Sequence, residues 1–209
     1  MNALTGYLRQ AGTALRFLLF ATLALGVAYP LAVFGIAQLI APYQANGSII
    51  KDAAGDPAAS ALIAQSSAND AGAQDPRWFH PRPSAVKWDP ASSSATNFGP
   101  NDPKLLEAVA ANRAAVAAAE GVDAAAVPAD AVTASGSGLD PDISPEYAKL
   151  QLARVTAANG LSTDAVASLV EQHTSGGLVA FLGQPSVNVT ALNLAVAAAA
   201  LPSQPAQSK

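Results

Sequence analysis

Two histidines are all that this 209-residue chain offers for imidazole chemistry, and it contains no cysteine. His80 stands in "WFHPRPS" (78–84), behind an aromatic pair and beside Arg82, while His173 closes an apolar run. Neither has a ligand-type residue four positions away, so the spacing gives no support to a zinc site. The missing cysteine removes thiol catalysis and disulfides. Asp140 and Asp142 flank a proline just before a helix start, a pattern that serves turns and caps far more often than paired-carboxylate catalysis. "TSGG" (174–177) has no phosphate-loop lysine nearby and reads as a helix C-cap. No GxxxxGK[ST] or GxSxG string occurs. "NGS" and "NVT" match the glycosylation triplet, which is too short to be specific. No self-sufficient catalytic set is present.

The elements that would position these residues begin with an anchor. From Phe17 to Ile50 nothing is charged, and residues 17–40, "FLLFATLALGVAYPLAVFGIAQLI", are almost wholly apolar. About 20 apolar residues suffice to cross a bilayer, and this run at ~1.5 Å per residue reaches about 36 Å. A signal peptide has an apolar stretch of only about 7–15 residues and a small-x-small cleavage site. This run is longer, and no convincing site follows, so an uncleaved anchor fits better. Tyr29 and Pro30 interrupt it; Pro30 withholds a hydrogen bond from Gly26, which suits either a tolerated membrane proline or a bent helix packed against others. Arg9 and Arg16 precede the span and no acid does, which places residues 1–16 in the cytoplasm and the rest outside.

Overall charge excludes a nucleic-acid footprint: 11 Lys+Arg stand against 15 Asp+Glu, for a net −4. The outer part holds 9 of the basic residues and all 15 acids, a net of −6 that ordinary solubility explains. Charged residues are only 12% of the chain, against about 25% in a typical soluble protein.

Beyond the anchor, residues 41–59 read as a connector rich in turn formers. Residues 60–201 are long enough for one domain, and 202–209 form a frayed tail. "SALIAQ" (60–65), "VPADAVTAS" (127–135) and "LVAFLGQ" (178–184) are short strand candidates. Residues 66–100 form an irregular loop region. Four helices are predicted. Asp102-Pro103 opens the first, which stops at Gly121, with Leu105, Val109, Asn112 and Val116 near one stripe. Ser144-Pro145 opens a second, ended by Asn159-Gly160. Ser162 caps a third, with Val166, Leu169, Val170 and His173 on one face and Gly176-Gly177 as its stop. The last covers about 189–201. The fold class is α+β: one N-terminal transmembrane helix followed by a single small mixed soluble domain.

Four strings then become specific. "YPLAVFGIAQLIAPYQANGSII" (29–50), "FHPRPSA" (79–85), "VTASGSGLDPDISPEYAKLQLARVTAANGLS" (132–162) and "GQPSVNVTALNLAV" (183–196) closely resemble the KdpC family, the C subunit of the bacterial Kdp potassium-transporting ATPase. Order and spacing agree from the anchor almost to the tail. The resemblance implies a subunit of a potassium-uptake complex in the bacterial inner membrane. Its partners there are a channel-like potassium-translocating subunit, a P-type ATPase subunit and a very small membrane subunit, besides the lipid bilayer. The family role it implies is to promote assembly and raise the ATP affinity of the pump subunit, as a catalytic chaperone. ATP and K+ are then handled by the complex, and this chain binds no cofactor of its own. No "DKTG" phosphorylation motif is present. Because ATP is cytoplasmic and the domain is expected in the periplasm, such an effect requires indirect coupling.

The matched strings single out Tyr29, Pro30, Phe79, Arg82, Pro83, Ser84, Ser135, Gly136, Ser137, Gly138, Asp140, Gln151, Arg154, Asn188 and Asn193 as candidates for a partner interface or for internal structure. Where the family usually has "FHGRPSA", this chain has Pro81. Two prolines around Arg82 make residues 79–85 a rigid loop at or near a subunit contact, unless Pro81 marks an exposed position. Polar residues such as Gln151, Arg154, Asn188 and Asn193 amid apolar ones more often satisfy internal hydrogen bonds than bind ligands. The alternative function is a membrane-anchored periplasmic ligand-binding or sensing protein, which needs a pocket with convergent polar groups. A tethered enzyme is the least supported class.

Overall fold

A computed structural model of the chain describes residues 2–69, 73–176 and 183–201. It divides into a first unit ending at Ser48 and a second beginning at Ile49. The division falls inside the stretch expected to be a connector.

The first unit is one continuous helix in three stretches: α1 (Asn2–Leu23), a π-helical turn (Ala24–Ala28) and α2 (Tyr29–Ile40). Leu4–Ile40, 37 residues, is long and apolar enough to cross a membrane. The π-turn explains how the helix passes Pro30. The Tyr29 N–H bonds the Ala24 carbonyl five residues back, and the widened turn relieves the crowding that a proline ring imposes on the preceding turn. The helix also begins well before Phe17, so residues 2–16 are helical and run on into the apolar stretch. After α2, a short helix α3 (Pro42–Ala45) turns the chain. Gln38 and Asn46 exchange amide hydrogen bonds at 3.2 and 3.1 Å across that turn, and Tyr43 Oη donates to the Ser48 carbonyl at 3.0 Å.

In the second unit, β1 (Ile49–Lys51) pairs antiparallel with β2 (Pro57–Ser60), with Ile50 opposite Ala59. The strand expected over 60–65 therefore lies earlier. Past Ser60 the chain turns, because its backbone groups are taken by distant partners. Asn188 Nδ2 and Thr190 Oγ1 donate to the Ala61 and Ile63 carbonyls, and the Ala64 N–H donates to the Leu139 carbonyl.

Four helices follow: α4 (Pro103–Glu120), α5 (Pro145–Asn159), α6 (Thr163–Gln172) and α7 (Val189–Ala200). Most of the sequence signals for their ends are realised. Asp102, Ser144 and Ser162 accept from the N–H groups of Lys104, Tyr147 and Ala165, and Gly121 and Gly160 stop α4 and α5 in the left-handed conformation. A 3-10 turn (Ala124–Ala126) follows α4.

A three-stranded antiparallel sheet, ordered β3 (Asp142–Ile143), β5 (Ser186–Asn188), β4 (Thr174–Ser175), backs the helices. Two expectations are corrected here. "TSGG" is no helix cap: α6 ends at Gln172, and Thr174 and Ser175 pair with Val187 and Ser186. Residues 127–135 are turns, with no strand paired to them among the described residues. There the carbonyls of Val127 and Val132 accept from Arg113 and Asn112 on α4. Of the third strand candidate, 178–184, residues 178–182 lie outside the described residues.

The core gathers the inward stripes of α5, α6 and α7 against β3 and β5. Phe79, Ile143, Val155, Val166, Val187, Leu192 and Val196 are fully buried in it. Each such side chain contributes about 1.5–3 kcal/mol. Helix α4 lies outside this core. Its alanine run supplies no bulk, and only Val109, Val116 and Ala117 pack partly against the rest.

Candidate functional site

The dipeptide Phe79–His80 runs between α5 and α7 and is gripped from both sides by side-chain amides. The Phe79 N–H donates to Asn193 Oδ1 at 2.8 Å, and Asn193 Nδ2 returns a bond to the Phe79 carbonyl at 2.9 Å. The His80 N–H donates to Gln151 Oε1 at 2.7 Å, and Gln151 Nε2 returns to the His80 carbonyl at 3.2 Å. Each amide stands in for a neighbouring strand, satisfying a donor and an acceptor that have no sheet partner. Gln151 occupies a core position because α5 turns Tyr147, Ala148, Gln151 and Val155 inward along one stripe.

Three residues further along α5, the Arg154 guanidinium ties the same segment to Gln151 and to α4. Nη2 donates to Gln151 Oε1 at 2.7 Å, and Nη1 donates to the Pro76 and Trp78 carbonyls at 2.8 and 2.9 Å. Its Nε donates to both carboxylate oxygens of Glu120, at 2.9 and 3.1 Å, where α4 ends. Only 2% of the Glu120 side chain is exposed, and burial pushes its carboxyl above the usual range against the pull of Arg154. One turn beyond, Asn159 Nδ2 donates to the Arg77 carbonyl at 2.8 Å.

His80 belongs to this lattice as a neutral group. Its Nε2 is 3.0 Å from the Asp75 carbonyl. Burial, with the Arg154 cation adding to it, pushes the imidazole down to about 4. Asp75 is held below its ordinary value chiefly by the hydrogen bond from Arg77, whose guanidinium also lies 5.4 Å from the Trp78 ring centre.

The second half of the loop is tied to residues 133–140. Arg82 Nη1 donates to Asp140 Oδ2 at 3.0 Å, and Nη2 reaches the Thr133 carbonyl and Oγ1 at 3.4 Å each. Ser84 Oγ donates to the Gly138 carbonyl at 2.7 Å and accepts from the N–H groups of Val86 and Trp88. Trp88 Nε1 donates to the Arg82 carbonyl at 3.1 Å. Opposite, Ser135 Oγ accepts from the Gly138 N–H at 2.9 Å, and the Ser137 carbonyl accepts from Ser94 N and Ser93 Oγ at 3.0 Å each. Gly138 has φ +69°, and a Cβ there would lie 2.7 Å from both the Ser94 carbonyl oxygen and Val86 Cγ2. Asp140 Oδ1 also accepts from the Asp142 N–H at 3.0 Å, the turn bond that the aspartate pair suggested. Asp142 is pushed up by burial, with neighbouring Asp140 adding to it.

The family model described as the c chain of the K+-transporting ATPase, KdpC, matches residues 11–198. The chain belongs to the KdpC family. It is 51% identical over 200 residues to a potassium-transporting ATPase KdpC subunit of Kineococcus radiotolerans, covering 95% of this chain and 98% of that one. A KdpC subunit of Cereibacter sphaeroides is 48% identical across 89% of this chain and 95% of its own length. One of Caldanaerobacter subterraneus is 44% identical across 87% and 91%.

In this chain the residues singled out by sequence fall into four places. Phe79, Gln151, Arg154 and Asn193 form the clamp. Arg82, Pro83, Ser84, Ser135, Ser137, Gly138 and Asp140 form the second junction, with Gly136 exposed at its rim. Asn188 caps α7 through Ala191 and ties Ala61 to the sheet. Tyr29 and Pro30 belong to the first unit, at the start of α2. Pro81 is buried, which answers the question its sequence raised: it is no exposed substitution. Sequence reasoning passed over Glu120 and Asp130, the latter accepting from Ser144 N and Oγ at 2.7 and 2.9 Å, and read Asn159 only as part of a helix stop. For Glu120 one signal exists: it is the single acid in the alanine run 114–122.

Proposed function

We propose that this chain acts as the non-catalytic accessory subunit of a high-affinity, ATP-driven potassium uptake complex. It supports assembly and raises the ATP affinity of the P-type ATPase subunit by coupling from the outer face. In this reading one bilayer-spanning helix carries the domain in the periplasm, with the N-terminus in the cytoplasm. The channel-like potassium-translocating subunit, the P-type ATPase subunit and the small membrane subunit are its partners. K+ is the cargo of the complex, and ATP is held by the pump subunit.

The observation that carries an accessory role is where the charged groups of the matched strings are spent. Arg82, Asp140 and Arg154 are bonded inside the domain, and partial burial beside Arg154 favours the neutral form of the His80 imidazole. Such a lattice makes a stiff body, and stiffness is what coupling between distant sites requires of an intermediate. Arg9 and Arg16, with no acid before Asp52, favour the cytoplasmic N-terminus.

The test begins with sidedness. Ser137 is exposed and the chain has no native cysteine, so Ser137→Cys gives a single probe for a membrane-impermeant maleimide. Labelling with only the outer membrane permeabilised is the expected result. Labelling that requires rupture of the inner membrane would reverse the topology and make direct contact with the ATP-binding subunit the leading mechanism. Purification of the chain alone and monomeric from mild detergent, with no large potassium-translocating subunit, would count against the complex.

A further inference from the structure

The helical extension ahead of the apolar span has two faces. Leu4, Tyr7, Leu8, Ala11 and Leu15 recur at three- and four-residue steps, so they line one side of α1. Arg9, Thr13 and Arg16 lie on the other side. Seven residues apart, the two arginines point within about 20° of each other, one above the other by roughly 10 Å. Leu4, Tyr7, Leu8 and Leu15 are each more than half exposed.

Length makes the apolar face a physical problem. At ~1.5 Å per residue the 37 residues of Leu4–Ile40 reach about 56 Å, whereas a bilayer with its headgroups is about 40–45 Å thick. A helix standing upright would push Leu4, Tyr7 and Leu8 into water. Tilt of the unbroken α1 removes that exposure by laying its first turns in the headgroup layer. Charge then selects the surface it meets: two arginines and no acid occur among the first 51 residues apart from Lys51 itself.

We propose that residues 4–16 form an amphipathic helix in the headgroup layer, with the Leu4–Leu8–Leu15 face in the acyl boundary and Arg9 and Arg16 on the phosphates of anionic lipids. Tyr7, at the edge of the apolar face, suits the interface, where aromatic rings with a polar tip concentrate. That this layer belongs to the inner leaflet follows from the orientation proposed above; the lipid contact itself does not depend on it.

The experiment uses the full chain in vesicles of phosphatidylcholine, with and without phosphatidylglycerol. A nitroxide is attached at Leu8→Cys and, separately, at Thr13→Cys, and collisions with oxygen and with a water-soluble nickel complex are compared. With phosphatidylglycerol present, the Leu8 label is expected to be shielded from nickel and the Thr13 label to remain accessible. Arg9→Gln with Arg16→Gln should shift the segment toward water by about 30-fold, each near-surface basic residue contributing roughly a factor of five. Lysines at both positions should restore the shielding. A Leu8 label equally wet in both vesicles overturns the proposal. So does equal shielding in the charge-neutral variant, or shielding that appears only when the other subunits of the complex are present, the last assigning this face to a protein partner. Depth is read in either leaflet, so these outcomes stay distinct from a failure of the Ser137→Cys labelling.

Discussion

Gln151 and His80, 71 residues apart, exchange two hydrogen bonds through a side-chain amide that has no exposed surface. The pairing closes the domain because the loop it grips has no strand beside it. Gln151→Leu keeps the volume and removes the amide, leaving the His80 N–H and carbonyl and one Arg154 donor without partners. A buried orphan costs about 1–3 kcal/mol, so a loss of roughly 3 kcal/mol is expected. Thermal unfolding of the full chain in detergent reads it as a midpoint lower by about 6–12 °C. An unchanged midpoint would mean the amide contributes nothing to the closure.

Removing one partner of the Arg154–Glu120 pair should hurt more than removing both. Arg154→Met strands a carboxylate with 2% side-chain exposure and is expected to cost about 3–5 kcal/mol. Adding Glu120→Leu should recover much of that loss. Denaturant midpoints of the two single variants and the double variant form the cycle, and strict additivity would contradict the pairing.

Gly136 and Gly138 separate conformational need from mere flexibility. Gly138→Ala meets the Ser94 carbonyl oxygen and Val86 Cγ2 at 2.7 Å with φ at +69° and should destabilise by about 2 kcal/mol or more. Gly136→Ala meets nothing within 4 Å and should leave the unfolding midpoint unchanged. Equal effects at the two sites would show that the close approach is relieved elsewhere.

His80 gives the domain an acid-sensitive element. Its imidazole titrates at about 4 in the folded chain against an ordinary 6.5, so the unfolded chain binds the extra proton first. Its contribution is fully present above pH 6.5 and is lost as pH falls through about 4, roughly 3 kcal/mol in all. Wild type minus His80→Gln, measured as unfolding free energy against pH, isolates it from the carboxylates. A difference that stays flat across that window would rule out burial of the neutral form.

Arg82 should behave as a tie within the domain. Its pair with Asp140 is partly exposed, 26% and 31% by side chain, so Arg82→Ala is expected to cost only about 1 kcal/mol. Co-purification with the other subunits and potassium uptake measured on the same variant test the remaining role of residues 79–85 as a contact loop. Lost assembly at unchanged stability would establish that role; retained assembly and uptake would end it.

What the sequence determined by itself was local. An apolar run preceded by two arginines specifies one long helix able to cross a membrane, since hydrocarbon admits little else. Asp102, Ser144 and Ser162 with their glycine stops set most helix ends within a residue, because caps satisfy backbone groups next to them in the chain. The exception is instructive: α6 ends at Gln172, before the glycines at 176 and 177, because β4 pairs with β5 eleven and more residues later.

Long-range choices were decided only in the tertiary structure. Residues 60–65 and 127–135 carry strand-like composition, yet their backbone groups are claimed by Asn188, Thr190, Asn112 and Arg113. Nothing local encodes such a claim. The same holds for the clamp. Phe79, Gln151, Arg154 and Asn193 could be singled out one by one, but that the amides of Gln151 and Asn193 serve as surrogate strands for one dipeptide depends on α5 and α7 packing against it. Glu120 escaped notice for that reason. Its partner lies 34 residues away, and only the fold brings the two charges out of water together.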